Sequence, residues 1–350
     1  MKKILNEYKN NIVKFLQVNK KFFSEKTYDE NEKLFFNNLN KIWWDKTENE
    51  NFCDILEKII GKNLYSLHDY NKCRFDFIFN NYEFIYFENF KKQKQFNKKI
   101  NILDVGCGAG ILCEYIKNNI YYFLIKNNII SYSNNSPLEK VEINIDGIDI
   151  SNNLIDLAKK RQANEKEHFI NYNNNDNTVK EYLKIENKIE YNKIKKENRN
   201  ININLNYINC DIVDLVNSNK LNQKKYDIII SSEVIEHISN NKKISFIKYI
   251  SQLSKPNALV VFTSINKNFL SYFYTIILAE YLTGIIKKGT HNYEKFIDIK
   301  ELNMICEYFN LNNINTKYVI YFPFIRNYFT TKKLKLLYLS AFVYKQKKVT

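Results

Sequence analysis

The chain has 350 residues, with 53 Lys and Arg against 38 Asp and Glu and a formal net charge of +15. At about 150 residues per domain the length allows two domains, but Asn/Lys-rich stretches reduce this to one catalytic domain with extensions. The charge admits an anionic partner, yet the lysines are spread along the whole chain without a basic face interleaved with aromatics, which excludes nucleic acid. Six cysteines (53, 73, 107, 113, 210 and 306), never paired as C-x-x-C, exclude a disulfide or zinc framework and fit a reducing compartment.

Residues 1–33 form a basic amino-terminal extension. Its first 26 residues alternate Lys with Ile, Leu, Val and Phe. This is either an organelle-targeting segment or an ordinary basic amphipathic helix; the lack of Arg weighs against targeting, and there is no secretory apolar run. From residue 34 a single domain is expected to run to residue 350. It begins with adjacent Trp43 and Trp44, followed by Leu67-His68-Asp69-Tyr70-Asn71-Lys72-Cys73-Arg74. Arg74 is the only Arg before Arg161. In a Lys-dominated chain, a lone guanidinium suggests two-pronged binding of a carboxylate, with a surface ion pair as the alternative.

The chain is organised around Ile100 to Gly110, INILDVGCGAG. This is a buried strand, a glycine turn and the start of a helix, whose free N–H groups face whatever binds there. The spacing is G-x-G-x-G, not the dinucleotide G-x-G-x-x-G. Asp104 would repel a pyrophosphate but hold an amino group, which favours S-adenosylmethionine over NAD or a nucleoside triphosphate, with Gly106 and Gly108 lining it. Cys107 reads as a small apolar filler.

Lys117 to Glu139 reads as an insert. Val141 to Ile150 is a second strand, and Asp149 at its end can accept both ribose hydroxyls. Ser151 caps a helix from Leu154 to Arg161. Residues 164–204 are too polar to offset chain entropy by burial and are expected to form a second low-complexity insert. A third strand, Leu205 to Asp211, ends in an acid that either meets the adenine amino group or caps a helix.

Tyr226 to Ser232 is apolar enough for a central parallel strand and leads into Glu233-Val234-Ile235-Glu236-His237. The i, i+3, i+4 spacing places Glu233, Glu236 and His237 on one face of a helical turn, at the strand ends where such sheets bind ligands. Three readings stay open: a divalent-cation site that lowers a phenol's pKa, a metal-free site in which His237 is the general base, or acids that cap a helix beside a packed imidazole. Residues 269–286, FLSYFYTIILAEYLTGII, are short for a spanning helix and interrupted by Glu280 and Gly284. They read as a membrane-resting cover flanked by Lys287 and Lys288, within an insert at about 266–297, or as an ordinary buried helix. Leu336 to Tyr344 is expected to be a last, antiparallel strand.

Asp104 to Gly110, Gly147 to Ser151 and Ser232 to His237 resemble the class I S-adenosylmethionine-dependent methyltransferases. With Trp43-Trp44-Asp45, Arg74, Ser264 to Lys267, Ala279 to Tyr281, Lys288-Gly289-Thr290-His291 and Lys295 to Ile297, the resemblance narrows to the ubiquinone-biosynthesis O-methyltransferase family, from about Lys41 to Phe324. It implies a mostly parallel, seven-stranded α/β Rossmann-like sheet with helices on both faces. Arg74, Gly106, Asp149 and Ser232 would contact S-adenosylmethionine, and Glu233, Glu236 and His237 would bind Mg2+. The substrate would be a polyprenylated catechol or demethylubiquinol, methylated by a peripheral protein on the matrix side of the mitochondrial inner membrane, with a ubiquinone-biosynthesis complex as partner. Other readings are methylation of another small phenol or amine, and a non-catalytic prenyl-lipid-binding subunit. One departure is Lys255-Pro256-Asn257-Ala258 where the family has Pro-Gly-Gly after the Lys, which predicts a loosened turn.

Overall fold

The computed structural model describes residues 26–38, 65–93, 99–126, 141–163, 201–218, 224–282, 289–322 and 327–346. The proposed targeting segment up to residue 25, Trp43 and Trp44, most of both low-complexity inserts, and Lys287 and Lys288 lie outside the described residues.

An amino-terminal helix α1 (Glu30–Asn38) and a long helix α2 (Tyr65–Gln93) precede the sheet. The chain then alternates: β1 (Lys99–Val105), α3 (Ile111–Lys126), β2 (Val141–Asp149), α4 (Asn152–Ala163), β3 (Ile201–Asn209), α5 (Ile212–Asn217), β4 (Tyr226–Ser232), α6 (Asn240–Leu253) and β5 (Ser254–Ile265). It closes with α7 (Ile299–Tyr308), β6 (Leu311–Phe322), β7 (Asn327–Thr331) and β8 (Leu337–Tyr344). The sheet order is β3-β2-β1-β4-β5-β8-β6-β7. The first five strands are mutually parallel, and β8, as expected, joins β5 antiparallel. This is the mostly parallel sheet that the resemblance implies, with eight strands rather than the expected seven, because β7 folds back on β6 as an edge hairpin.

Alternation along the central strands builds two cores, one on each face. Ile102, Ile228, Ile230 and Val261 face Phe79, Ile116 and Phe123 of α2 and α3. Leu103, Ile229, Val260 and Phe262 face Phe246 and Ile250 of α6 and Leu302 and Ile305 of α7. With both faces covered, the strands can be apolar throughout.

Some boundaries differ from the sequence expectation. Lys117 to Lys126 does not begin an insert but continues α3, whose Ile120, Phe123 and Leu124 are buried. β3 starts at Ile201, inside the stretch read as low-complexity. The reason is an amide ladder: Asn204 Nδ2 donates to Asn144 Oδ1 (2.9 Å) and Asn144 Nδ2 to Asn101 Oδ1 (3.1 Å), across three strands in register. At the Pro-Gly-Gly departure, Asn257 adopts φ +64°, the left-handed conformation that Asn tolerates better than most residues, and the pairing with β4 shifts register there, from Tyr226–Ser254 to Ile228–Leu259.

The glycine turn is held by steric exclusion as much as by hydrogen bonds. Gly110 sits at φ +81°, and a Cβ there would lie 2.8 Å from Tyr207 Cε1; Gly289 has the same φ with nothing within 4 Å. Gly110→Ala should therefore cost more than the roughly 1–2 kcal/mol of left-handed strain alone, and Gly289→Ala about that much. Thermal melting of the two variants checks this; equal losses would contradict the packing argument.

Candidate active site

The carboxyl ends of β1, β2 and β4 meet at one crest. The turn after β1 is tied down where Gly106 N–H and Cys107 N–H both donate to Ile148 O (2.8 and 2.9 Å). Gly108 N–H donates to Asp149 Oδ2 (2.9 Å) and Ser151 N–H to Asp149 Oδ1 (2.8 Å). Burial pushes the Asp149 carboxyl up, and these backbone donors oppose the shift. Gly106 and Gly108, both at positive φ, and Asp149 are thus brought together as predicted. Asp104 lies at the end of β1, fully buried beside the thiol of Cys113 (3.2 Å), and burial raises its carboxyl to about 6. Burial also pushes the Cys107 thiol up to about 11, which fits a filler rather than a nucleophile.

Arg74 and Ser232, 158 positions apart, meet directly. Arg74 Nη1 donates to Ser232 Oγ (2.8 Å) and Nη2 to Asn71 Oδ1 (2.5 Å), with the guanidinium 4.9 Å from the centre of the Tyr70 ring. Ser232 Oγ lies 2.8 Å from Thr263 Oγ1, which donates to Glu233 Oε1 at 2.7 Å. With Thr263 donating to the carboxylate, Ser232 must donate to Thr263. The result is a directional chain, Arg74 to Ser232 to Thr263 to Glu233, with a charge at each end.

The shared helical face does not form. Glu233 precedes the turn at φ +55°, and only Ile235–His237 is helical, as a three-residue 3-10 turn. Glu236 is 1% exposed; its Oε2 accepts from Ser264 Oγ (2.9 Å) and its Oε1 meets no donor. Burial, and then the neighbouring Glu233 carboxylate, push the Glu236 carboxyl up. His237 instead meets Glu32, its Nδ1 lying 3.6 Å from Glu32 Oε2, and its ring packs edge-on to Phe36. Burial lowers its pKa, and the Glu32 contact opposes the shift. Among the described residues no three His, Cys, Asp or Glu side chains converge to hold a metal ion. Of the three expected ligands, the carboxylates of Glu233 and Glu236 lie together, while His237 Nδ1 is placed against Glu32.

Asp211 is not on β3 but is the N-cap of α5, in a capping box with Asp214. It also accepts Thr27 N–H and Thr27 Oγ, each at 2.5 Å. Of its two readings the cap is the one the structure shows.

The residues that sequence reasoning missed come mainly from the amino-terminal extension, which crosses the crest. Thr27 reaches Asp211, Asn37 accepts from Ser151 Oγ (2.6 Å), Glu32 holds His237, and Asp29 pairs with Lys242 (3.1 Å) and bonds Ser239. Lys295 binds Glu32 at 2.6 Å. The acids Asp29, Glu30 and Glu32 in a Lys-rich leader were the available signal.

A methyltransferase domain family matches residues 70–316. The ubiquinone biosynthesis O-methyltransferase of Coxiella burnetii (strain Dugway 5J108-111) is 25% identical over 321 residues, covering 92% of this chain and 98% of that protein. The mitochondrial ubiquinone biosynthesis O-methyltransferase of Dictyostelium discoideum is 29% identical over 244 residues, 69% of this chain and 58% of that protein. Among solved structures, the magnesium protoporphyrin IX methyltransferase of Synechocystis PCC 6803 with bound SAH aligns over 89% of this chain and 99% of its own, at TM-score 0.43 and 11% identity. With the family match spanning well over half of its length, the chain belongs to the methyltransferase domain family, and its relatives over nearly the whole chain are ubiquinone biosynthesis O-methyltransferases.

Proposed function

We propose that this protein is an S-adenosylmethionine-dependent O-methyltransferase of ubiquinone biosynthesis, acting on a phenolic hydroxyl of a polyprenylated catechol or demethylubiquinol. The observation that carries the reading is the crest itself. Asp104, the glycine turn, Asp149 and the Arg74–Ser232 pair lie at adjoining strand ends, in a chain whose full-length relatives bear that name.

In this reading Asp104 takes the ammonium group of the donor, Arg74 its carboxylate, Asp149 its ribose hydroxyls, and Gly106 and Gly108 admit the nucleoside against bare backbone. Ser232 positions the guanidinium. Asp211 serves the adenine end only if its contact with Thr27 opens. His237 accepts the phenolic proton, and Glu32 stabilises the imidazolium that forms. The phenolate oxygen displaces the methyl from the sulfonium in one in-line step, giving an ether and the neutral thioether. The protein contributes positioning and exclusion of water.

A divalent cation fits this chain in part. Glu233 and Glu236 present two adjacent carboxyl groups with one oxygen lacking a donor, and they would hold a cation that lowers the pKa of a phenol bound to it. Phe269, Leu270, Phe273, Tyr281 and Leu282 are exposed large apolar side chains on one segment. Among the described residues no helix is long and apolar enough to cross a membrane. In this proposal the segment rests on the bilayer that holds the prenyl tail, as a peripheral contact on the matrix side of the mitochondrial inner membrane and within a biosynthetic assembly.

Purified protein with labelled S-adenosylmethionine is expected to methylate a prenylated catechol in vesicles, to lose at least tenfold in turnover on chelation and to recover with magnesium. F269S/F273S should lower turnover of the prenylated substrate and spare a short-chain one. No transfer to any catechol would reject the function, and indifference to chelation would assign the carboxyl pair a structural role.

Asp104 gives a separate test. The donor's ammonium needs the ionised carboxylate, so affinity for S-adenosylmethionine should fall as pH drops through about 6. Because the folded state holds this proton more tightly than the unfolded chain, the stability it contributes is present at low pH and lost as pH rises through the same range. Asp104→Asn should therefore abolish donor binding while raising the melting temperature at pH 7.5 but not at pH 4. Calorimetry and thermal melting read both; donor binding unchanged in the variant would contradict the role.

A further inference from the structure

The insert carries a second acid–imidazole pair that the methyl-transfer chemistry does not use. Glu280, 1% exposed, lies in the π-helical segment Tyr272–Leu282 that follows a single helical turn, Phe269–Ser271. Its Oε2 accepts Gly289 N–H (2.8 Å), and its Oε1 accepts both His291 N–H (2.9 Å) and His291 Nδ1 (2.8 Å). A buried carboxylate on Nδ1 fixes the tautomer with the proton there, leaving the lone pair on Nε2. The His291 ring is stacked on His237, centroids 5.8 Å apart and planes 30° apart, and is braced edge-on by Phe296. Two acid–imidazole pairs, Glu32–His237 from the leader and the β4 turn and Glu280–His291 from the insert, are thus set ring to ring.

A buried carboxylate that spends three hydrogen bonds on one loop and one ring orients that ring beyond what packing requires. With each Nδ1 facing a carboxylate, the two Nε2 atoms remain to accept from two neighbouring hydroxyls on one aromatic ring. We propose that His291, positioned by Glu280, accepts a hydrogen bond from the second hydroxyl of the substrate, so that the site selects vicinal diphenols over monophenols. This rests on the methyltransferase reading above: His237 takes the proton from the hydroxyl that is methylated, and His291 holds the adjacent one. No bond is made or broken at His291. A site built to pair a hydroxyl rejects the analogue lacking it, because the buried acceptor is then left unpaired.

The test compares a catechol with the monophenol lacking the second hydroxyl, in the full-length protein and in His291→Asn and His291→Phe. The wild type should prefer the catechol by at least tenfold in kcat/KM. Both variants should lose that preference, with catechol kcat/KM falling about 10–100-fold, monophenol kcat/KM little changed and S-adenosylmethionine affinity retained. An equal fall for both substrates would make His291 structural and overturn the proposal, as would an unchanged ratio. Calorimetric binding of catechol and monophenol to the S-adenosylhomocysteine complex gives the same comparison without turnover. If the wild type binds catechol selectively through His291 but transfers no methyl, the reaction fails and the recognition stands; if it transfers methyl without His291-dependent selectivity, the reverse holds. Should either variant fail to fold, the other and the wild-type preference decide.

Discussion

A four-membered hydrogen-bond chain, Arg74 to Ser232 to Thr263 to Glu233, holds the crest of this molecule together. It joins α2 to the ends of β4 and β5 and to the turn that carries both glutamates. Its ends are a guanidinium and a carboxylate, and each hydroxyl between them is polarised in the same sense, so the links reinforce one another at low dielectric. The same chain aims Arg74 at the site and fixes Glu233 in a left-handed conformation that would otherwise be strained. Loss of the Ser232 hydroxyl would remove an acceptor from Arg74, which keeps Asn71, and loss of the Thr263 hydroxyl would remove a donor to Glu233.

Around that chain the site is closed by elements remote in sequence. The amino-terminal segment reaches Asp211, Ser151, His237 and Ser239, touching the loops after β2, β3 and β4 in turn. The insert after β5 supplies Lys295 to the same segment and His291 to the face of His237. Leader and insert are joined to each other and to the β4 turn through Glu32, Lys295 and the two imidazoles. The exposed apolar side chains of the insert lie in the same stretch of chain as the buried Glu280.

Much of this was legible in the sequence where the signal is local. A buried strand followed by G-x-G-x-G could only be a turn with bare backbone, and Asp104 and Asp149 lie at the strand ends read from the sequence, while Arg74, singled out as a lone Arg, reaches Ser232 from α2. The constellation after β4 was misjudged because i, i+3, i+4 spacing implies one face only in a regular helix, and a left-handed Glu233 breaks that geometry. Asp211 was ambiguous for a different reason: a carboxylate after a strand serves a helix N-terminus and a ligand equally well. The asparagines at 101, 144 and 204 looked like compositional noise; their role as an amide ladder depends on strand register, which no single segment encodes. The partnership of Glu32 with His237, and of Glu280 with His291, likewise depends on tertiary closure and leaves no mark on local spacing.

The central claim is that the crest seats a sulfonium donor with its amino acid end on Asp104 and Arg74. A crystal structure of the S-adenosylhomocysteine complex tests it most directly. The expected result places the ligand's ammonium within hydrogen-bond distance of Asp104, its carboxylate on Arg74 and its ribose hydroxyls on Asp149, with the sulfur facing the side of His237. A ligand bound away from these three side chains, with Arg74 still committed to Ser232 and Asn71 alone, would contradict it.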